Sequence, residues 1–262
     1  STSRGLGDVY KRQLKKKPTG ALVHPDPEDP AVRAAAERGE APNFYAYGRL
    51  PMWDEEYLVT RIGMLRDMGL KNVYFKMAGF DPVDIERVLR IAASAEVDVV
   101  TFDGAGGGSG YSPCKMMNEW GLPTVPLEST VCGIARRLRR EGLELPSMVI
   151  TGGFATEDQV FKALALGAPC FQAVGLCRAA MAAANSAKKV GELIEAGNIP
   201  AYLQKYGDSK ETLFADLPDL RHLYGKEAES FPAGAIGVFS YLNRIAMGLR
   251  HFAALNRKFD VN

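Results

Sequence analysis

The sequence predicts an α/β protein built on a parallel sheet, and three features predict it. Short apolar segments alternate with amphipathic ones at roughly 25–30 residues per pair, the repeat of a βα unit. Every glycine cluster falls just after a strand-like segment. Beyond Gly175 the strand-like segments stop, which predicts a helical C-terminal extension.

Taken in order, residues 3–13 read back codon by codon as a translated transposase adapter of the kind used in sequencing libraries. Residues 1–13 are therefore set aside from fold reasoning, and the open reading frame is expected to begin mid-gene. Residues 14–43 are expected to be irregular. Pro25, Pro27 and Pro30 remove backbone donors and bias the preceding residues away from helix. A short helix is expected over 31–38 and a strand over 44–47. The spacing of Tyr57, Leu58, Ile62 and Leu65 predicts a helix over 54–68. A strand follows over 72–77. Asp81 then caps a helix with Pro82 at its first position, carrying Ile85, Val88, Leu89 and Ile91. Residues 97–102 read as an apolar strand, 124–127 as a short strand or extended loop. A helix over 129–141 carries Arg136, Arg137, Arg139 and Arg140 on a solvated face. A strand over 148–151 leads to a helix opened by Thr156, with Gln159 completing a capping box. The last strand runs over 171–175. Residues 233–254 place Ile236, Phe239, Leu242, Ile245, Ala246, Leu249 and Phe252 on one helical face, which is expected to pack on protein, either as an extra helix covering the barrel or as a subunit contact.

Composition narrows the function classes. The 262 residues carry 32 Lys and Arg against 31 Asp and Glu, a net charge of +1. Such a balance does not steer a protein to nucleic acid or to an anionic membrane. No apolar run reaches the ~18 residues of a membrane span. Four cysteines without a CxxC pair fit reduced thiols and a cytoplasmic location. The scattered His24, His222 and His251 offer no metal site. Gly104–Ser109 is not GxGxxG, no GxxxxGK[ST] occurs, and no serine lies in GxSxG; dinucleotide, P-loop and nucleophile-elbow sites are excluded.

The glycine clusters carry the candidate chemistry. Gly104, Gly106, Gly107, Gly108 and Gly110 follow one strand, Gly152 and Gly153 the next, and Gly175 the last. Ligands of parallel α/β proteins bind at the C-terminal ends of strands, where glycine lets backbone N–H groups approach a phosphate or flat ring. Turn geometry alone explains one such cluster; three in succession favour a ligand site. Gly152 and Gly153, then Gly175 and Arg178, follow the pattern of the last two units of phosphate-binding barrels. There the next helix adds its N-terminal dipole and Arg178 a charge-assisted bond. Lys76, in an otherwise apolar strand, is costly unless it meets an anion or polar ring; the alternative is a lysine snorkelling at the strand end.

Together, Lys76, the stretch from Phe102 to Pro113 and the unit from Gly152 to Gly175 resemble the FMN-binding synthase domain of the glutamate synthase family. The resemblance covers about residues 44–191. The family's glycine stretch has threonine where this chain has Ser109. The resemblance implies a TIM barrel, (β/α)₈, truncated on its N-terminal side, and reductive formation of glutamate from 2-oxoglutarate. It implies Lys76 at the N1/O2 edge of FMN, Gly152, Gly153 and Gly175 at its phosphate, and Asp103, Gly104, Gly106, Gly107 and Ser109 lining flavin or substrate. No amidotransferase segment is present, so ammonia is expected to come from elsewhere, and an electron-donor or ammonia-supplying partner is among the expectations. The family's iron–sulfur cluster is not expected, since Cys177 stands without neighbouring cysteines; Cys170 and Cys177 are expected to be buried. About five strands are expected, within a barrel portion at 44–200 and an extension at 201–262. So open a barrel is expected to fold poorly alone. Two further readings stay open: a flavin-free phosphate-ligand barrel enzyme, and a non-catalytic fragment.

Overall fold

The computed structural model describes residues 21–24, 26, 29–40, 45–49, 55–79, 81–108 and 119–258. The chain divides into two compact units, one of residues 1–152 with 167–173, the other of 153–166 with 174–262.

In the first unit, β1 (Ala21–His24) pairs antiparallel with β2 (Tyr45–Arg49), with α1 (Pro30–Glu37) between them. Helix α1 is the short helix expected over 31–38, and β1 is a strand in a stretch otherwise expected to be irregular. The strand expected at 44–47 exists as β2 but lies outside the parallel sheet. Among the described residues that sheet has four of the about five expected strands: β3 (Tyr74–Ala78), β4 (Val99–Asp103), β5 (Ser147–Thr151) and β6 (Phe171–Gly175), in that spatial order. The pairs β3–β4 and β4–β5 are parallel and in register, Ala78 facing Asp103 and Asp103 facing Thr151. The α/β class, the parallel order and the helical extension are as the sequence predicts, and the sheet is open.

Three helices of this unit are α2 (Glu55–Asp67), α3 (Pro82–Ser94) and α4 (Thr124–Arg140). Asp81 caps α3 as expected, accepting from the Val83 N–H at 2.7 Å, with Pro82 in the first turn. Residues 124–127 are not extended. They form the first turn of α4, where Pro126 lacks an N–H that would have had no helical partner anyway. Strand alternation sorts the two sheet faces. Val100, Phe102, Met148 and Ile150 are buried, as are Ile85, Val88 and Leu89 of α3 and Leu127, Val131 and Leu138 of α4. Phe102 and Phe171 meet edge to face at 6.4 Å. Lys76, Thr101, Asp103, Val149 and Thr151 alternate with these residues and point to the opposite, less buried side.

The basic face of α4 is exposed, yet its arginines have partners. Arg137 pairs with Glu86 of α3 and, at 3.4 Å, with Glu141. Arg90 reaches Glu86 at 2.8 Å and Glu141 at 2.6 Å, closing a four-membered network. Arg136 donates to the Ala168 carbonyl at 3.1 Å. Behind α4 the buried Cys132 thiol donates to the Gly167 carbonyl at 3.4 Å, and the buried Cys170 thiol to the Cys132 carbonyl at 3.8 Å. Burial pushes the Cys132 thiol up to about 12, so it stays protonated.

The second unit contains α5 (Glu157–Gly167, through Leu166), α6 (Arg178–Glu195), α7 (Ala201–Gln204), α8 (Lys210–Leu213), α9 (Leu217–Tyr224) and α10 (Ala233–Leu255). The capping box expected at Thr156 forms by half. Gln159 accepts from the Thr156 N–H at 3.3 Å, but the Thr156 hydroxyl turns to Asp158 at 2.5 Å, and the helix starts one residue later. Helix α10 lies against α6 through small residues. A side chain at Gly237 would meet the Ala183 carbonyl at 2.8 Å, and one at Gly191 the Ala233 Cβ at 2.6 Å. The face expected to pack on protein is largely the one that does: Phe239, Ala246, Leu249 and Phe252 are half-buried. Ile236 and Ile245 are buried while Leu242 remains 48% exposed. Phe161 and Phe252 stack at 4.8 Å, and the Tyr241 hydroxyl donates to the Ala155 carbonyl at 2.9 Å. No helix among the described residues is long and apolar enough to cross a membrane.

Candidate functional site

The ends of β3, β4 and β5 bring three of the polar residues together. Lys76 Nζ lies 2.8 Å from Asp103 Oδ2; the lysine is 60% exposed and the acid 13%. The Thr151 hydroxyl donates to the other oxygen of the same carboxylate. Register explains the grouping. Asp103 and Thr151 are direct partners across the sheet, and Lys76 stands two residues before Asp103's partner Ala78 on the same face. Lys76 meets an anion that belongs to the chain itself, and its 60% exposure also agrees with the alternative of a lysine snorkelling at the strand end. It avoids the full desolvation cost because β3 is an edge strand of this sheet.

The glycines divide by use. Gly104 and Gly152 serve close packing around Thr124, the first residue of α4. A side chain at Gly104 would come within 2.7 Å of Thr124 Cα, and one at Gly152 within 3.2 Å of Gly104 Cα. The Thr124 hydroxyl donates to the Gly152 carbonyl at 2.8 Å, and the Gly104 N–H to the Thr151 carbonyl at 2.9 Å. Gly107, in the 3₁₀ turn Ala105–Gly107 that also holds Gly106, lies against Asp103. A Cβ there would sit 3.0 Å from Asp103 Cγ. Gly153 differs. Its φ of +87° suits glycine, and a Cβ there meets no described atom within 4 Å. Unlike Gly104, Gly107 and Gly152, Gly153 is not held against a packed neighbour among the described residues.

In the second unit Gly175 ends β6, and Cys177 and Arg178 open α6. Cys177 is exposed, not buried as expected, because it occupies the turn before the helix; Cys170 is buried. Arg178 is exposed at the first helical position. Ser109 and Gly110 lie outside the described residues. No group of three His, Cys, Asp or Glu side chains that could hold a metal occurs among the described residues.

The sequence reading missed Thr151 and Thr124. Both are short hydroxyl side chains at element boundaries, and only the register of neighbouring strands shows what they reach. Glu128, on α4 at the Gly167 turn, was also missed. It is fully buried and its Oε1 has no partner among the described residues. Burial pushes its carboxyl up to about 7.

A parallel sheet with buried helices on one face, and a lysine–aspartate–threonine set at its strand ends, defines an α/β protein with polar chemistry at the C-terminal ends of its strands. The conserved region in glutamate synthase matches residues 48–189, more than half of the chain. The chain belongs to the glutamate synthase family. Among curated relatives, the archaeal-type glutamate synthase (NADPH) of Dehalococcoides mccartyi is 39% identical over 90 residues, 34% of this chain and 17% of that protein. The archaeal glutamate synthase (NADPH) of Methanocaldococcus jannaschii is 38% identical over 92 residues, 35% of this chain and 17% of that protein. The matched segment thus spans less than a fifth of these relatives. A solved structure of nitroalkane oxidase from Streptomyces ansochromogenes is a loose likeness, with 16% identity, 80% of this chain and 64% of that one covered, and a TM-score of 0.40.

Proposed function

We propose that this chain forms part of the FMN-binding synthase barrel of a glutamate synthase and takes part in the reductive conversion of 2-oxoglutarate and ammonia to glutamate. The observation that carries the reading is the Lys76–Asp103–Thr151 set, which lies inside the family-matched region. The residues present fit a flavin phosphate and ring. Gly153 has open space where a Cβ would stand, and Lys76 offers an accessible ammonium on the polar sheet face.

Lys76 supplies the positive charge that favours a negatively charged reduced cofactor. Asp103 holds the lysine's Nζ and fixes where that charge sits; Thr151, by donating to the second oxygen, fixes Asp103 in turn. Gly153, with Gly152, Gly175 and Arg178, would hold the phosphate through backbone N–H groups and a guanidinium. Bound FMN, once reduced by two electrons, would supply them to the imine that 2-oxoglutarate and ammonia form with loss of water. The relatives carry NADPH in their names, and the same source of electrons is proposed here. Ammonia or electrons reach the site from a partner protein, the site works in the cytoplasm, and homo-oligomers form through the extension.

A redox titration of the FMN-loaded enzyme tests the reading. Lys76→Met should retain FMN but lower its two-electron potential, because one charge-assisted contact of roughly 1.5–3 kcal/mol is lost from the reduced form. Gly153→Val should abolish FMN binding by filling the phosphate space. An unchanged potential in Lys76→Met would remove the lysine from the flavin.

A further inference from the structure

Thr124 occupies a place that two glycines leave open: a Cβ at either Gly104 or Gly152 would collide with its hydroxyl. That room serves one bond, in which the Thr124 hydroxyl donates to the Gly152 carbonyl at 2.8 Å. The preceding carbonyl, of Thr151, accepts from the Gly104 N–H at 2.9 Å. Two successive carbonyls at the end of β5 are therefore held. A trans peptide is planar, with its C=O and N–H on opposite sides. The Gly152–Gly153 bond is trans. Fixing the Gly152 carbonyl on Thr124 thus aims the Gly153 N–H away from Thr124. Among the described residues no acceptor takes that N–H. The φ values of +139° at Gly152 and +87° at Gly153 are the backbone's side of this arrangement, and both suit glycine.

We propose that Thr124 is a positioning residue for a phosphate monoester: it does not touch the ligand, and by holding the Gly152 carbonyl it presents the Gly153 N–H to a phosphate oxygen. The inference rests on the reading of Gly153 as part of the FMN phosphate grip, and deepens it by naming what sets the direction of the amide. Without the hydroxyl, the peptide between two glycines meets little steric resistance to turning. The N–H is then no longer set in advance, and the cost of ordering it falls on binding. The flavin ring has no stake in this peptide. A flavin with the phosphate and one without it therefore separate the role of Thr124 from general damage to the site.

Equilibrium titrations of the full chain with FMN and with riboflavin, followed by flavin fluorescence, test this. The wild-type chain should prefer FMN. Thr124→Ala should weaken FMN about tenfold, the value of one neutral hydrogen bond, and leave riboflavin unchanged. Thr124→Ser, which keeps the donor, should keep the preference for FMN. Should Thr124→Ala fail to fold, Thr124→Val, which keeps the volume and lacks the donor, is read in its place. With the wild-type preference intact, three results would each overturn the role of Thr124 and leave the FMN reading standing: an undiminished preference in Thr124→Ala, equal weakening of FMN and riboflavin, or a loss that Thr124→Ser shares. A wild-type chain that binds FMN no better than riboflavin would overturn the phosphate grip itself and this inference with it.

Discussion

The parallel-sheet unit and the helical unit both bring elements close through small residues, but to different ends. In the helical unit, Gly191, Gly234 and Gly237 let α6 and α10 approach along their lengths, and the result is packing. In the sheet unit, Gly104 and Gly152 let one threonine approach the ends of two strands, and the result is a shaped corner beside Asp103 and Lys76. A glycine cluster after a strand is thus evidence of close approach before it is evidence of a ligand. Gly153, whose missing side chain meets nothing described, is where the ligand reading has room.

That contrast breaks first at its tightest point. Gly104→Val should be the most destabilising of the single changes considered, about 3 kcal/mol, because the obstacle is the Thr124 backbone and cannot move aside. Gly237→Val should cost somewhat less, about 2 kcal/mol, since α10 can shift along α6 to relieve the clash. Urea melts of both variants check the order, and a larger loss for Gly237→Val would make the helix pair the more rigid contact.

The buried acid of the sheet unit sharpens the comparison through pH. Glu128 is pushed up to about 7 from an ordinary 4.5 by burial. The folded state therefore holds its proton where the unfolded chain has released it. Stability from this group is complete below pH ~4.5, falls as pH rises towards 7, and is flat above. Glu128→Gln removes that slope and should stabilise the protein at pH 8 by on the order of 2 kcal/mol, with little effect at pH 4. Melts at the two pH values decide it; equal effects at both would mean the carboxyl is ionised in the folded protein. Gly153→Ala ranks below this. Only the left-handed backbone resists it, at about 1 kcal/mol, because no neighbour is displaced.

What the sequence made legible follows the range of the interaction. The Asp81–Pro82 cap is contained in three residues, and the alternation of β4 and β5 in five each, so both are readable locally. The turn at 124–127 misleads because Thr, Val and Pro favour extended backbone, while Pro123 at the cap and the buried Leu127 and Val131 favour helix. The pairing of β2 with β1, rather than with β3, depends on a partner some twenty residues upstream. Cys177 resembles Cys170 in the sequence, yet one closes a buried turn and the other opens an exposed helix. Lys76 and Asp103 were both singled out, but their ion pair and its support from Thr151 exist only once three strands are in register.

The smallest effect belongs to the ion network between α3 and α4. The Arg137 and Arg90 guanidiniums beside Glu86 hold its carboxyl down to about 2, from an ordinary 4.5. The sign is opposite to that of Glu128: the contribution is present above pH 4.5 and is lost as pH falls through about 2. The groups are exposed, so solvent and salt screen them, and exposed pairs are weak even in good geometry. Glu86→Gln should thus lower the melting temperature slightly at pH 7 and low salt, and not at all in 1 M salt. It should also flatten stability between pH 4.5 and pH 2, where the wild-type chain loses this group's share. A loss at pH 7 that survives 1 M salt would mean Glu86 acts by packing α3 on α4 and not by charge.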